Sequence, residues 1–369
     1  MNRGVGASLV VALGVTAACT LLNPLDEFGA GSAKDAGPVD AGTDADARAC
    51  TPSRWPTRPT TEDGTDVVEI IQALRTFSAE SIEDAGTARA GYDLDGVCTC
   101  PEPESCALRT GAPQHCDGPG GVDNSGGDLL TTIAQLVDRN ADANSRLRSG
   151  DYGLLFRVRR YNGGANDREV EVAIFLSNGT DGIQDGGVPP KPVYDGSDRW
   201  TVDPTCVAGG AGPPFVPLYV DANAYVADHV LVATVDFPLR LGRFTIALSG
   251  SVVTGTLTKD GASYRVDDGI IAGRGSTRSL LTGLAAIDDP FVKGQHLCGD
   301  SGTYADAKRA ICNATDIVGD LKQDNTGAPC DALAVAAHFT SSAANLGTIF
   351  APPPLPMPCG PQWVDDCSR

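Results

Sequence analysis

Apolar and polar residues alternate along the middle of the chain with a period of two, the pattern of a strand with one buried face. This alternation predicts strands over residues 153–159 and 170–176, and Asn162-Gly163-Gly164 between them is typical of a hairpin turn. Further strands are predicted over residues 230–239, 244–249, 252–258, 263–266 and 270–271. Several short strands separated by glycine turns predict an antiparallel β-sandwich or a barrel-like domain.

Apolar residues recur at helical spacing on both sides of this strand region. The segments with this spacing are residues 66–77, 128–139, 277–287, 304–318 and 331–339. Asp66, with Glu69 three residues later, fits a helix start, and the proline-rich residues 351–363 should be extended. We therefore predict a mainly β fold of the α+β class, a single domain over residues 55–369 with flanking N- and C-terminal helices.

The first residues have the pattern of an export signal. Arg3 precedes a short apolar run, residues 7–15, that is too short to span a bilayer. The sequence Thr16-Ala17-Ala18-Cys19 that follows resembles the lipobox of bacterial lipoproteins, although Thr16 stands where that motif prefers Leu. The resemblance implies cleavage of a signal peptide, residues 1–18, and acylation of Cys19, as with palmitate. An ordinary secretory signal is the alternative.

The segment after Cys19, residues 19–54, is rich in Asp, Ala and Gly. Its low hydrophobicity predicts a disordered tether that holds the folded domain away from the membrane. Thr20 follows the acylated cysteine, where some bacterial lipoproteins carry an Asp that retains them at the inner membrane. The resemblance therefore implies a lipid anchor in the cell envelope, at the outer membrane.

The charge of the chain narrows the choice of partners. The net charge is −19 over 369 residues. Such an acidic chain lacks the basic surface that binds nucleic acid, and anionic lipid surfaces would repel it. Contact with the membrane is therefore predicted through the lipid on Cys19 alone.

Twelve cysteines in an exported protein predict disulfides. The candidates are Cys98, Cys100, Cys106, Cys116, Cys206, Cys298, Cys312, Cys330, Cys359 and Cys367. The first four are predicted to form two local bridges, and Cys359 with Cys367 is a further candidate pair. Cys50, in the tether, is the predicted unpaired cysteine if Cys19 is acylated. The full connectivity does not follow from spacing, and a zinc site at the first four is disfavoured in an oxidising compartment.

Residues 91–130, which we call the cysteine-rich segment, also carry a candidate calcium site. Asp93-Leu94-Asp95-Gly96 opens like a calcium-binding loop, with Glu104 where an EF-hand has its last ligand, but Val97 and Cys98 depart from that motif. A looser site of hard oxygen donors is the hypothesis. Its predicted ligands are Asp93, Asp95, Asp117, Asp123 and Asn124. The alternative is that these residues serve turns and helix caps.

Motifs for catalysis are weak. Gly299-Asp300-Ser301-Gly302 is similar to the nucleophile motif of trypsin-like serine proteases, but His338 lies after it, whereas in that family the histidine precedes the serine. A helix cap is the favoured interpretation. None of the histidines, His115, His229, His296 and His338, stands at metal-ligand spacing from another.

Three aromatic residues in the loop-rich region, Tyr194, Trp200 and Tyr219, suit either a sugar-stacking platform or core packing, and core packing is more common. The function predicted from the sequence is a non-catalytic binding or structural module, a cell-envelope lipoprotein stabilised by calcium, with a glycan or an envelope protein as partner. The alternative is an envelope hydrolase that acts on polysaccharide or peptide through carboxylates that the sequence does not single out.

Overall fold

The computed structural model describes residues 50–79, 90–100, 102–127, 129–130, 143–182, 188–210, 212–241, 244–299, 301–351, 359–360 and 363–368. The strands are β1 (Val68–Ser78), β2 (Gly153–Tyr161), β3 (Asp167–Ser177), β4 (Arg199–Val202), β5 (Tyr219–Ala227), β6 (Val230–Thr234), β7 (Phe237–Leu241), β8 (Phe244–Asp260), β9 (Ser263–Ser276), β10 (Ala332–Ala343) and β11 (Asn345–Ile349). Helices in this part of the chain include α1 (Ala143–Ser149), α2 (Thr277–Leu284) and α3 (Gly302–Asn313).

Eight of the strands close into an antiparallel barrel in the order β1-β2-β3-β5-β6-β8-β9-β10, with β10 pairing back onto β1. Strand β8 has two partners along one edge, because its first half pairs with β7 and its second half with β6, and it pairs with β9 along the other edge. The short strands β4 and β11 form a separate parallel pair. The mainly β fold predicted from the alternation is confirmed, in its barrel form.

The barrel interior is filled by side chains, as the diameter of an eight-strand barrel requires. Phe156 on β2 and Phe339 on β10 stack with ring centroids 5.3 Å apart although their strands are not neighbours. Gln72 is fully buried, and its amide donates to Tyr264 O while its Oε1 accepts from Ser341 Oγ. One polar side chain on β1 thus links β9 and β10.

The two predicted helices 66–77 and 331–339 are wrong, since these residues form β1 and β10, which pair with each other. Apolar residues lie on both faces of each strand and both faces are buried, so the alternation that marks a half-buried strand is missing. The six consecutive residues 332–337 are all buried on β10. The barrel therefore closes on the two strands that carry the least strand-like pattern.

Several other predicted elements agree with the structure. The hairpin of β2 and β3 is confirmed, and α2 and α3 confirm the predicted helices 277–287 and 304–318 with shorter bounds. The predicted strands 244–249 and 252–258 are one strand, β8, whereas 230–239 is divided into β6 and β7. Leu129 and Leu130 are helical, but the rest of the predicted helix 128–139 lies outside the described residues, as do residues 19–49 and most of 351–363.

Five disulfides join the described residues: Cys50–Cys98, Cys100–Cys116, Cys106–Cys330, Cys298–Cys359 and Cys312–Cys367. The predicted Cys359–Cys367 pair is wrong, and the cysteine-rich segment has one internal bridge instead of two. Among the described cysteines, Cys206 and not Cys50 is free, and it lies fully buried where Leu176 N donates to its Sγ. Several disulfides are typical of an exported protein. No helix among the described residues is long and apolar enough to cross a membrane.

Candidate metal centre

Three carboxylates lie close together at the loop of residues 90–97. Asp93 and Asp95 lie on this loop, and Asp123 lies just before the helical residues 125–127. One oxygen of each carboxylate lies within 4.8 Å of an oxygen of the other two. The three residues are 0%, 8% and 3% exposed, respectively. The cysteine-rich segment thus brings together three of its predicted ligands in a buried cluster, which we call the carboxylate cluster.

Backbone amides orient these carboxylates. Gly96 N donates to Asp93 Oδ1 over 2.6 Å, and Val97 N donates to Asp95 Oδ1 over 2.9 Å, so the loop turns around its own acidic side chains. Leu94 N donates to Asp123 Oδ2 over 2.6 Å and joins the two parts of the segment. Each of the three carboxylates therefore has one oxygen fixed by the backbone.

The second oxygen of Asp93 is different. Asp93 Oδ2 is buried and accepts no hydrogen bond. Nη2 of the half-exposed Arg54 lies 3.4 Å from it, an ion pair without hydrogen-bond geometry. A buried carboxylate oxygen without a donor is costly, so a cation at this position would stabilise it.

Two disulfides and the end of the predicted tether frame the cluster. Cys50–Cys98 and Cys100–Cys116 fix the chain just after the loop. Ser53 O accepts from Asp93 N over 2.9 Å, and Ser53 N donates to Gly120 O over 2.7 Å. Residues 50–54 are therefore part of the fold and not of a tether, because the Cys50 bridge and these backbone bonds hold them across the loop.

The other predicted ligands occupy neighbouring positions. Asp117 accepts from Thr99 N over 2.6 Å and shares a side-chain hydrogen bond with Asp123. Asn124 Oδ1 accepts from Ala336 N on β10 over 2.8 Å, so this amide links the cysteine-rich segment to the barrel. Glu104 accepts from His115 N and Thr99 Oγ1, outside the group of three.

Burial and like charge act on the whole group of acids. Burial, followed by the charges of Asp95, Asp316 and Asp117, raises the pKa of Asp123 far above its ordinary range. Burial, followed by the charges of Asp95 and Asp316, raises the pKa of Asp117, and burial raises the pKa of Asp93. Burial raises the pKa of Glu104 to about 7. Burial and like charge thus disfavour full ionisation of the group, and a bound metal ion would displace protons from it.

Asp316 is the acidic neighbour that sequence reasoning missed. It lies between α3 and β10, far along the chain from the cysteine-rich segment, and its Oδ1 accepts from Ala334 N over 2.9 Å. Its charge raises the pKa of Asp117 and Asp123. The disulfide Cys106–Cys330 joins these two regions. That pairing does not follow from the spacing of the cysteines, so the sequence gives no signal that Asp316 lies here.

The donor set selects the kind of ion. The cluster offers carboxylate oxygens, and neither histidine nor thiolate belongs to the group of three. Hard oxygen donors prefer Ca²⁺ or Mg²⁺ over zinc or copper. Ca²⁺ takes six to eight oxygens in a flexible arrangement, which three carboxylates supplemented by carbonyl groups or water can supply.

The residues of the alternative candidate sites have structural roles or lie at the surface. Ser301 caps α3, with its Oγ accepting from Tyr304 N and donating to Asp289 Oδ2 over 2.7 Å, as the cap interpretation predicted. Trp200 is fully buried in the main core and packs against Tyr194, which confirms core packing for Trp200 over a stacking platform. His338 is exposed on β10.

Comparison with known proteins adds no assignment. No family model, curated protein or solved structure matches the chain. The function is therefore inferred from the geometry and chemistry of the chain's own residues.

Proposed function

We propose that the chain is an exported, lipid-anchored module of the cell envelope with a binding or structural role, in which Ca²⁺ held by the carboxylate cluster stabilises the cysteine-rich segment. One observation carries the calcium proposal: Asp93, Asp95 and Asp123 converge within 4.8 Å in a buried place, and Asp93 Oδ2 accepts no hydrogen bond there. Ionisation of all three without a bound cation would be costly.

A non-catalytic role fits this geometry. Each carboxylate has one oxygen engaged by a backbone amide, and all three are largely closed to solvent. A general acid or base must reach its substrate within hydrogen-bond distance. Buried and backbone-fixed carboxylates suit a structural ion better than proton transfer to a polysaccharide or peptide.

Calcium binding is testable by titration calorimetry on the full chain after treatment with EDTA. We expect saturable binding of about one equivalent, with a dissociation constant of about 10⁻⁴ to 10⁻³ M, the range of extracellular calcium modules. Asp95→Asn should weaken binding at least about tenfold, since it removes one charged ligand. Asp260→Asn removes an exposed carboxylate at the end of β8 and should leave binding unchanged. Equal affinity in the two variants, or no binding, would contradict the proposal.

Cysteine pairing supports the lipid anchor. Ten cysteines form disulfides and Cys206 is buried and free, which accounts for eleven of the twelve and leaves Cys19. With the lipobox-like residues before Cys19, and Thr20 after it, an acylated Cys19 in the outer membrane is the proposed anchor.

The anchor has its own test. Cys19→Ala should move the protein from the detergent phase to the aqueous phase on phase partitioning and release it from membranes. Cys206→Ala, which removes the buried thiol of the folded part, should leave partitioning unchanged. Retention of the Cys19→Ala protein on membranes would contradict acylation at this residue.

A further inference from the structure

A basic cleft lies where the cysteine-rich segment meets α3. It has a volume of about 280 Å³, and its lining includes Arg109, Lys308 and Arg309. In a chain with a net charge of −19, three basic side chains around one cleft are a local exception. We propose that this cleft binds a tetrahedral oxyanion, the sulfate or phosphate group of an ester-substituted sugar. The proposal deepens the binding role proposed above and rests on it.

The shape of the cleft follows from the spacing of residues on α3. Ala305, Lys308, Arg309 and Cys312 line it, and they recur at helical spacing on one face. The short side chain of Ala305 leaves space between the two basic side chains and the opposite wall. That wall is the turn Arg109-Thr110-Gly111-Ala112, which Ala112 N closes onto Arg109 O over 2.9 Å.

Both walls are fixed before any ligand arrives. Cys312 is bonded to Cys367, and His115 Nε2 lies 2.7 Å from Asn313 O, which ties the segment after the turn to the end of α3. Ala107 pairs with the chain next to Cys330. A cleft held in this way loses little conformational entropy when it binds.

Arg109 is the basic residue of the cleft that has no acidic partner among the described residues. Lys308 already pairs with Asp365 over 2.8 Å, and Arg309 lies 3.1 Å from Asp306. Arg109 makes no ion pair with any described residue, so its guanidinium is available to a ligand. Guanidinium groups bind sulfate and phosphate oxygens through two parallel hydrogen bonds. The volume is close to the lower end of small-molecule sites, roughly 300 Å³, which suits an oxyanion with one sugar ring.

The test is titration calorimetry of the full chain with inorganic sulfate, glucose 6-sulfate, glucose and glucuronate at low ionic strength. We expect glucose 6-sulfate to bind more tightly than glucose or glucuronate, and Arg109→Gln to weaken it about tenfold, the effect of losing one charged hydrogen-bond partner. Arg278→Gln removes an exposed arginine on α2, away from the cleft, and should leave affinity unchanged. Inorganic sulfate that binds as tightly as the ester would leave the oxyanion as the ligand and exclude the sugar.

Failure of this proposal is distinguishable from failure of the calcium proposal. Asp95→Asn should weaken calcium binding at least about tenfold and keep the affinity for glucose 6-sulfate. No sulfate binding by the unmodified chain, glucuronate binding as tight as that of the ester, or equal losses in Arg109→Gln and Arg278→Gln would overturn the oxyanion site, whatever the result with calcium.

Discussion

The barrel and the cysteine-rich segment belong to one folded unit but are held together by different forces. The barrel has a continuous ladder of strands around an apolar interior, and no disulfide joins two of its strands among the described residues. The cysteine-rich segment has little regular structure, three disulfides and a group of buried acids. Tyr92 of this segment packs against Trp55 and against barrel residues such as Val252.

This difference explains why the buried carboxylates lie outside the barrel core. A barrel interior must be filled with apolar side chains to be stable, so it leaves little room for unpaired charge. A segment cross-linked by disulfides can hold like charges together, because the bridges reduce the entropy of its unfolded state. The carboxylate cluster therefore lies in the cross-linked segment, next to the barrel but outside its core.

Removal of the disulfide between the two regions should cause the largest loss of stability. Cys106–Cys330 spans 224 residues and Cys100–Cys116 spans 16. Loop-closure entropy predicts a loss of about 5 kcal/mol for the paired alanine variant of the first bridge and about 3 kcal/mol for the second. Urea unfolding of both variants in EDTA measures the difference. Equal losses would mean that the two regions remain joined without the long bridge.

A cavity inside the barrel should lower the stability of the protein without changing calcium binding by the cysteine-rich segment. Phe156→Ala removes a ring that is 3% exposed and stacked on Phe339, and it should cost about 3 to 5 kcal/mol. Since the cavity lies inside the barrel, the calcium affinity of the folded protein should not change. Urea unfolding gives the first quantity and titration calorimetry the second. A loss of calcium affinity together with stability would show that the two regions are energetically coupled.

A smaller effect is the pH dependence of stability, which should have opposite signs in the two regions. Burial raises the pKa of Glu104 from 4.5 to about 7, so its contribution to stability is present in acid and is lost as the pH rises from about 4.5 to about 7. Burial alone would raise the pKa of Asp203, beside β4, but hydrogen bonds from Thr205 and Asn178 and the charge of Arg240 lower it below 3.8. Its contribution is present above pH 3.8 and is lost as the pH falls below that value.

Hydrogen exchange followed by mass spectrometry in EDTA, corrected for intrinsic exchange rates, separates these responses. Protection of the cysteine-rich segment should fall between pH 5 and pH 7.5, and Glu104→Gln should reduce that fall. Protection of β3 and β4 should not fall over the same range. A uniform change in both regions would contradict the assignment of the raised pKa values to the cysteine-rich segment.

The sequence carried local information well and tertiary information poorly. The β2–β3 hairpin was predictable because each strand alternates and Asn162-Gly163-Gly164 turns the chain. Strands β1 and β10 were not, because burial on both faces removes the alternation and the alanines of β10 fit a helix as well. For the candidate site, Asp93, Asp95 and Asp123 were predictable because they lie within one short segment. Asp316 and Arg54 were not, since they lie outside this segment and only the folded chain brings them to it.

The most direct test of the calcium site is a thermal melt of the full chain in EDTA and then in calcium, for the unmodified protein and for Asp95→Asn. At a calcium concentration about 100 times the dissociation constant, binding should add about 2.7 kcal/mol and raise the Tm by several degrees. Asp95→Asn should raise the Tm in EDTA, because it relieves repulsion on Asp117, Asp123 and Asp316, and should reduce the calcium increment. A lower Tm for Asp95→Asn in both buffers, with no calcium increment in the unmodified protein, would show that the acids serve only turns and hydrogen bonds.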